Sequence, residues 1–354
     1  MPQQFPSGAT TSPTVPQPAS HRAGATGSDF APLLRLVRER GLLDRRASRY
    51  LGIVVPDLLL FAVAWTAVVL VGDSWWQMLL ALPVAVLTTR SGFVGHDAGH
   101  QQIVRSRRTN RILGLVHGNL LIGMSFAWWT DKHNRHHANP NDVDRDPDVG
   151  VGVLTWTEEQ AAGRRGVAGW LTRHQAYLFF PLLLLEGLNL KVASFRDLIR
   201  RGGRERIVEA VPLVVHLACY LVALFLVMSP VKAVLFVLVH QALFGVHLGC
   251  AFAPNHKGMP MPEPGSRWSH LRRQVLTSRN VRGGPVVDWL LGGLNYQIEH
   301  HLFPSMPRPL LRLAQPLVRE HCARVGLPYT ETRLVASYRQ ALRHLHSVGA
   351  RLRG

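Results

Sequence analysis

The 354-residue sequence predicts an all-α integral membrane protein: four transmembrane helices in two hairpins, with interfacial helices and a cytoplasmic helical cap. Three observations lead there. Four apolar runs reach the roughly 20 residues that a helix needs to cross a bilayer. Arginine crowds one side of the two hairpins and is missing from their short turns. Histidines gather in three short clusters, at 96–100, 133–137 and 300–301, all on the arginine-rich side.

Taken in order, residues 1–30 are rich in Pro, Ser, Thr and Gly and lack the charged start and apolar core of a secretion signal, so a disordered cytoplasmic tail is expected before a single domain of 31–354. The first two spans, about 51–71 and 75–94, meet at Gly72-Asp73-Ser74, with Trp75 and Trp76 at the interface. The last two, about 208–228 and 231–251, meet at Ser229-Pro230. Arg35, Arg38, Arg40, Arg45, Arg46 and Arg49 precede the first span, Arg105, Arg107, Arg108 and Arg111 follow the second, and Arg196, Arg200, Arg201, Arg204 and Arg206 precede the third. Basic flanks stay inside, which places both termini and all three histidine clusters on the cytoplasmic face of a multi-pass cell-membrane protein. Two shorter apolar stretches, 112–129 and 176–190, are read as interfacial or re-entrant. A crossing by the first would put the first two clusters on opposite faces, and Glu186 and Asn189 interrupt the second. The cap, 256–354, includes two helices split near Gly326-Leu327-Pro328, whose Leu and Val spacing reads as a packing face.

The formal charge of +18 invites a nucleic-acid reading, but no zinc finger, helix-turn-helix or aromatic RNA-binding signature accompanies the basic residues, so no nucleic-acid partner is expected. Cys219, Cys250 and Cys322 are scattered, which excludes a disulfide framework and a cysteine-ligated iron–sulfur site.

The histidines carry the chemistry. Residues three and four apart share a helical face, so His96 with His100, and His133 with His136 and His137, each aim imidazoles at one point. His300 and His301 form the third cluster, with Gln297 in the slot where another histidine would complete the second pattern again, and Asn255-His256 closes the last span. Eight histidines exceed what one tetrahedral zinc can use, so two metal ions are expected, with Gln297 and Asn255 as further metal or water-mediated contacts. Counting favours a pair of irons with open positions, since zinc has no redox chemistry. No catalytic residue is expected beyond the ligands. Asp97, Asp131, Asp142, Asp146, Asp148, Asp288 and Glu299 are candidates to hold the far ring nitrogens. His117, His216, His240 and His247 lie singly on apolar helices and are read as packed residues.

At these boxes the chain resembles the integral-membrane fatty acid desaturase family, whose pattern is H-x3-4-H, H-x2-3-H-H and [HQ]-x2-H-H. The glutamine form, Asn295-Tyr296-Gln297-Ile298-Glu299-His300-His301-Leu302-Phe303-Pro304, with His136-His137-Ala138-Asn139-Pro140, looks like the front-end desaturases and their actinobacterial acyl-CoA relatives. The resemblance implies that His96, His100, His133, His136, His137, His256, His300 and His301 bind two irons. It also implies that dioxygen and external electrons are used to place a cis double bond in an acyl-CoA or acyl-lipid chain. Many front-end members carry a fused cytochrome b5 marked by H-P-G-G; this chain has none. The expected donor is a separate ferredoxin, flavodoxin or cytochrome with its NAD(P)H reductase, and the other partners are the acyl substrate and membrane lipid. Competing readings are a membrane di-iron hydroxylase or ketolase, which would add oxygen rather than remove two hydrogens, and a divalent-metal transporter, whose site would sit nearer the bilayer midplane.

Overall fold

Two tight turns set the frame of the helical bundle. The computed structural model describes residues 28–263 and 265–353. After α1 (Ala31–Glu39), α2 (Ala47–Val71) ends where Gly72 turns at φ 64°, and α3 (Gln77–Gly99) returns. Gln77 closes this turn from inside, its Nε2 donating to the carbonyls of Val68 and Gly72 at 2.7 and 2.8 Å. The second hairpin is α8 (Gly203–Val227) and α9 (Pro230–His256). Its tip docks on the first, the Ser229 amide donating to Asp73 Oδ1 at 2.8 Å and the Lys232 ammonium standing 3.1 Å from the same atom. With both tips joined at one end, the box-bearing ends of α3 and α9 meet at the other.

Between the hairpins run α4 (Arg107–Gly114), a π-helical stretch (Leu115–Leu121), α5 (Phe126–Ala138), the short α6 (Glu158–Ala162) and α7 (Gly166–Arg200). The helical arms Arg107–Leu121 and Phe126–Ala138 bend by 112° at a break of four residues or fewer, so the apolar stretch 112–129 is not one straight helix, a geometry that suits a broken span as well as a re-entrant segment. The stretch 176–190 differs from expectation. It is the middle of the 35-residue α7, and five helices rather than four are long and apolar enough to cross a membrane. Glu186 and Asn189 do not interrupt it, because Asn189 Nδ2 donates to Glu186 Oε2 at 3.1 Å and the two polar groups satisfy each other within one turn. Both halves of α7 nevertheless contact box-side elements: Gln175 Nε2 donates to the Leu345 carbonyl in the cap at 3.0 Å, and Ser194 Oγ accepts from the Ser125 amide at the start of α5 at 3.0 Å.

The cap comprises α10 (His270–Leu276), β1 (Asn280–Val281), α11 (Pro285–Leu290), α12 (Gln297–Leu302), α13 (Arg308–Arg324), β2 (Glu331–Thr332) and α14 (Leu334–Val348). The split near Gly326 is as expected, but β2 falls in it and pairs in parallel with β1, opposite Asn280 and Val281. An apolar core of Leu271, Ile298, Met306, Leu310 and Val318 joins α10, α12 and α13, and α1 adds Leu33 and Val37. Residues 1–27 of the expected tail lie outside the described residues, whereas Phe30 is already part of the fold, packed on Phe303 at 5.3 Å and His270 at 4.8 Å. Arg90 of α3 ties bundle to cap. Its guanidinium pairs with Asp57 of α2 at 2.7 Å, donates to the Trp289 carbonyl at 2.7 Å and lies over the Trp289 ring. Removing either buried charge would leave the other unpaired, at a cost of about 3–5 kcal/mol.

Helices α7 and α9 touch backbone to backbone at Gly187 and Gly245, where a Cβ on Gly245 would lie 2.4 Å from the Leu183 carbonyl oxygen. Gly245→Ala is therefore expected to destabilise the protein by about 1–3 kcal/mol, read as a lower thermal midpoint of the detergent-solubilised protein.

Candidate metal centre

The three boxes end on three different helices. His96 sits in the last turn of α3 with His100 as its C-cap, the second box fills the last two turns of α5, and His300 and His301 lie on the six-residue α12. His256 ends α9. All eight imidazoles are buried.

They assemble into two adjacent groups. Ring nitrogens of His96, His100, His133 and His300 come within 4.8 Å of one another, and so do those of His136, His256 and His301. His137 lies between, its ring 4.5 Å from His100, 4.7 Å from His300 and stacked 4.1 Å from His301. Nε2 atoms face each other at 3.1 Å for His96 with His300 and 3.3 Å for His136 with His256. Two nitrogens bound to one ion at about 2.1 Å and separated by about 90–110° stand about 3.0–3.4 Å apart, so these pairs are spaced to share an ion.

The outward nitrogens explain this aim. His96 Nδ1 meets Asp97 Oδ1 at 3.1 Å, His136 Nδ1 meets Asp146 Oδ2 at 2.9 Å, His256 Nδ1 meets the Thr277 carbonyl at 3.0 Å and His301 Nδ1 meets Gln274 Oε1 at 2.9 Å. Each bond occupies Nδ1 and leaves Nε2 directed inward, the arrangement that orients metal-binding imidazoles. His100 Nε2 and His301 Nε2 are buried without a hydrogen-bond partner among the described residues. Unpartnered, neutral, convergent nitrogens fit a metal pair. Burial, followed by crowding from neighbouring imidazoles, pushes His133, His137, His300 and His301 well below the usual imidazole value.

Gln297 reaches the edge of the second group, its Nε2 2.9 Å from His256 Nε2, while its Oε1 accepts from Asn255 Nδ2 at 3.2 Å. Asn255 stands one step back, also donating to its own helix at Ala251. Of the seven candidate carboxylates, Asp97, Asp146 and Asp148 approach imidazoles, Asp148 at 3.6 Å from His136 Nδ1. The other four do not. Asp131, two residues before His133, falls on the opposite face of α5 and pairs with Arg135; Asp142 faces Arg273; and Asp288 accepts from Asn295 and Tyr296. Glu299 points away from its histidine neighbours to accept from Asn280 and Tyr329, and burial pushes its carboxyl up to about 7. Sequence reasoning missed Gln274, which no motif marks, and the Thr277 carbonyl, since backbone acceptors carry no residue signature. It also missed Trp129, stacked on His133 at 4.5 Å, which with Phe252 lays an apolar wall against the first group. The singly placed histidines stay outside: His117 meets Ser91, His216 the Leu120 carbonyl, His240 Thr88 and Tyr220, and His247 the Leu290 carbonyl.

Residues 73–333 match the fatty acid desaturase family as a whole, a stretch that contains every residue of both groups. The chain belongs to that family. Similar proteins include Delta(8)-fatty-acid desaturase 2 of Arabidopsis thaliana, 27% identical over 325 residues that cover 87% of this chain and 72% of the relative. Delta(6)-fatty-acid desaturase fat-3 of Caenorhabditis elegans is 28% identical over 334 residues, 90% of this chain and 74% of the relative. Delta(5) fatty acid desaturase fat-4 of the same organism is 29% identical over 332 residues, 87% and 71% respectively. These names fit the front-end type expected from the glutamine form of the third box. Membership in the desaturase family makes the chain an oxidoreductase of lipid metabolism, and its histidine groups suit metal binding.

Two outcomes follow from the geometry. Asp146→Ala, which frees His136 Nδ1, is expected to weaken cobalt(II) binding about 10–100-fold in a titration of the purified protein. Because burial in the folded state holds His133, His137, His300 and His301 well below the usual imidazole value while the unfolded chain binds protons below pH ~6.5, the metal-free protein should keep its stability above that pH and lose it as the pH falls, read as a thermal midpoint lower at pH 5.5 than at 7.5.

Proposed function

We propose that the protein is a dioxygen-dependent fatty acyl desaturase that places a cis double bond in an acyl-CoA or acyl-lipid chain. Two irons are held by His96, His100, His133, His136, His137, His256, His300 and His301, with Gln297 at the edge of the second site. The observation that carries this reading is the pair of buried imidazole groups, with convergent and unpartnered ring nitrogens, at one end of an apolar bundle. An unactivated methylene has no acidic proton and no leaving group, so acid–base and nucleophilic side chains have nothing to act on. Bound irons supply the oxidising chemistry. In the net reaction the acyl chain loses two hydrogens from adjacent carbons, and dioxygen takes these, two electrons and two protons to become two waters.

The chain's own residues supply the setting. Asp97, Asp146, Thr277 and Gln274 fix the rings, and Asp97 is itself braced by the Arg308 guanidinium at 2.7 Å and the Tyr50 hydroxyl at 3.1 Å. Trp129 and Phe252 offer an apolar wall for a methylene chain and keep water from the first group. Such positioning is what selects one carbon pair from a uniform chain.

The metal centre and both termini face the cytoplasm, with α2, α3, α8 and α9 crossing and α7 lying along the box-side surface. The joined hairpin tips and the arginine-rich opposite ends support this arrangement. A separate ferredoxin, flavodoxin or cytochrome, reduced through NAD(P)H, delivers the electrons, and basic loops favour encounter with such an acidic carrier.

Expression in a host without desaturases is expected to yield acyl chains two mass units lighter than their saturated parents. His136→Ala and His300→Ala should each remove at least about 99% of that product while leaving the amount of membrane-inserted protein unchanged. A product heavier by one oxygen would overturn the desaturase reading.

A further inference from the structure

The bend at 122–125 that delivers the second box is held by two charged side chains from helices on its far side. Where the first arm ends, the Lys191 ammonium of α7 donates to the Ile122 carbonyl at 2.5 Å, and His216 Nδ1 of α8 meets the Leu120 carbonyl at 2.9 Å. Where the second arm begins, Glu209 of α8, 1% exposed, places Oε2 at 2.8 Å from Ser125 Oγ, 2.9 Å from Asn119 Nδ2 and 3.3 Å from the Ala127 amide. Asn119 completes the join by accepting from the Phe126 amide at 2.9 Å. A helix leaves free carbonyls and partial negative charge at its C-terminus, and free amides and partial positive charge at its N-terminus. The cation therefore sits on the ending arm and the anion on the starting arm. In an apolar bundle this placement matters doubly, since no water reaches a broken helix to satisfy its ends and a lone charge is costly to bury.

We propose that Lys191 and Glu209 are positioning residues for the metal centre. They fix the turn at 122–125, the turn fixes the axis of α5, and α5 carries His133, His136 and His137. Neither side chain reaches the imidazoles; both act through the helix. The link to metal rests on reading the boxes as ligands, whereas the link to the turn does not.

The test uses the full chain, purified in detergent, as wild type, Glu209→Gln, Glu209→Asp and Lys191→Met. Amide hydrogen exchange is followed in peptides covering 122–138, with 308–324 of α13 as internal reference. Glu209→Gln keeps the shape and loses the charge, so exchange across 122–130 is expected to rise about tenfold while α13 is unchanged, and Lys191→Met should do the same. Glu209→Asp, which retains the carboxylate, should restore part of the protection. In parallel, cobalt(II) titration should show two strongly absorbing sites in wild type and a weakened, spectrally altered site in Glu209→Gln, with kcat lowered about tenfold and KM within about twofold. Exchange within twofold of wild type in both charge-removing variants overturns the proposal, whatever happens to activity. If Glu209→Gln does not fold, Lys191→Met alone is read under the same criterion. A wild type that binds fewer than two cobalt ions sinks the two-metal reading instead, and the exchange data still decide the role of the turn.

Discussion

Eight imidazoles can share one buried volume only if they stay neutral and point their lone pairs at common centres. Protonating even one would bury a charge beside seven rings and no solvent, which is why burial leads the forces that depress His133, His137, His300 and His301. Neutrality alone leaves each ring free to choose its tautomer. For four of the eight, His96, His136, His301 and His256, the choice is made by acceptors outside the rings, Asp97, Asp146, Gln274 and the Thr277 carbonyl, and these come from α3, a loop after α5, and α10 with the residue following it. The helical cap is therefore part of the site itself: Thr277 sets the direction of His256 at the end of α9, and Gln274 that of His301 on the cap's own α12.

The two sides of the centre differ in chemistry. Trp129 and Phe252 border the first group, whose polar contact is Asp97 at His96, while the second meets Asp146, Asp148, Gln297 and Gln274. Apolar and polar borders thus adjoin within one enclosure. The same economy holds deeper in the bundle. Glu209, Lys191, Asn119 and His216 answer the open backbone groups of a single bend, so the break in helical pairing leaves those groups bonded inside the apolar region.

Much of the architecture was legible because its causes are local or periodic. Apolar length, the Gly72 and Pro230 turns and flanking arginines mark the hairpins, and spacing of three and four marks the boxes on helical faces. Within 176–190 only the length was misread: Glu186 and Asn189 look like interruptions in a hydropathy profile, but they bond each other and the helix runs on. The carboxylates were over-counted for a related reason. Proximity in sequence to a histidine says little when Asp131 or Glu299 leaves the helix on the opposite side, toward Arg135 or Tyr329.

By itself the sequence determined that the protein is a helical membrane bundle, that three histidine boxes lie on its arginine-rich side, and that their imidazoles are numerous enough for two ions. These follow from hydropathy and helical period, which act within a few turns of chain. Only the tertiary structure decided how the eight rings divide into two groups with His137 between them, that Gln297 reaches His256, and that Gln274 and Thr277 set two of the tautomers. Those contacts join residues 21 to 204 positions apart, and no local pattern encodes them, because they arise only when separate helices are brought to one end of the bundle.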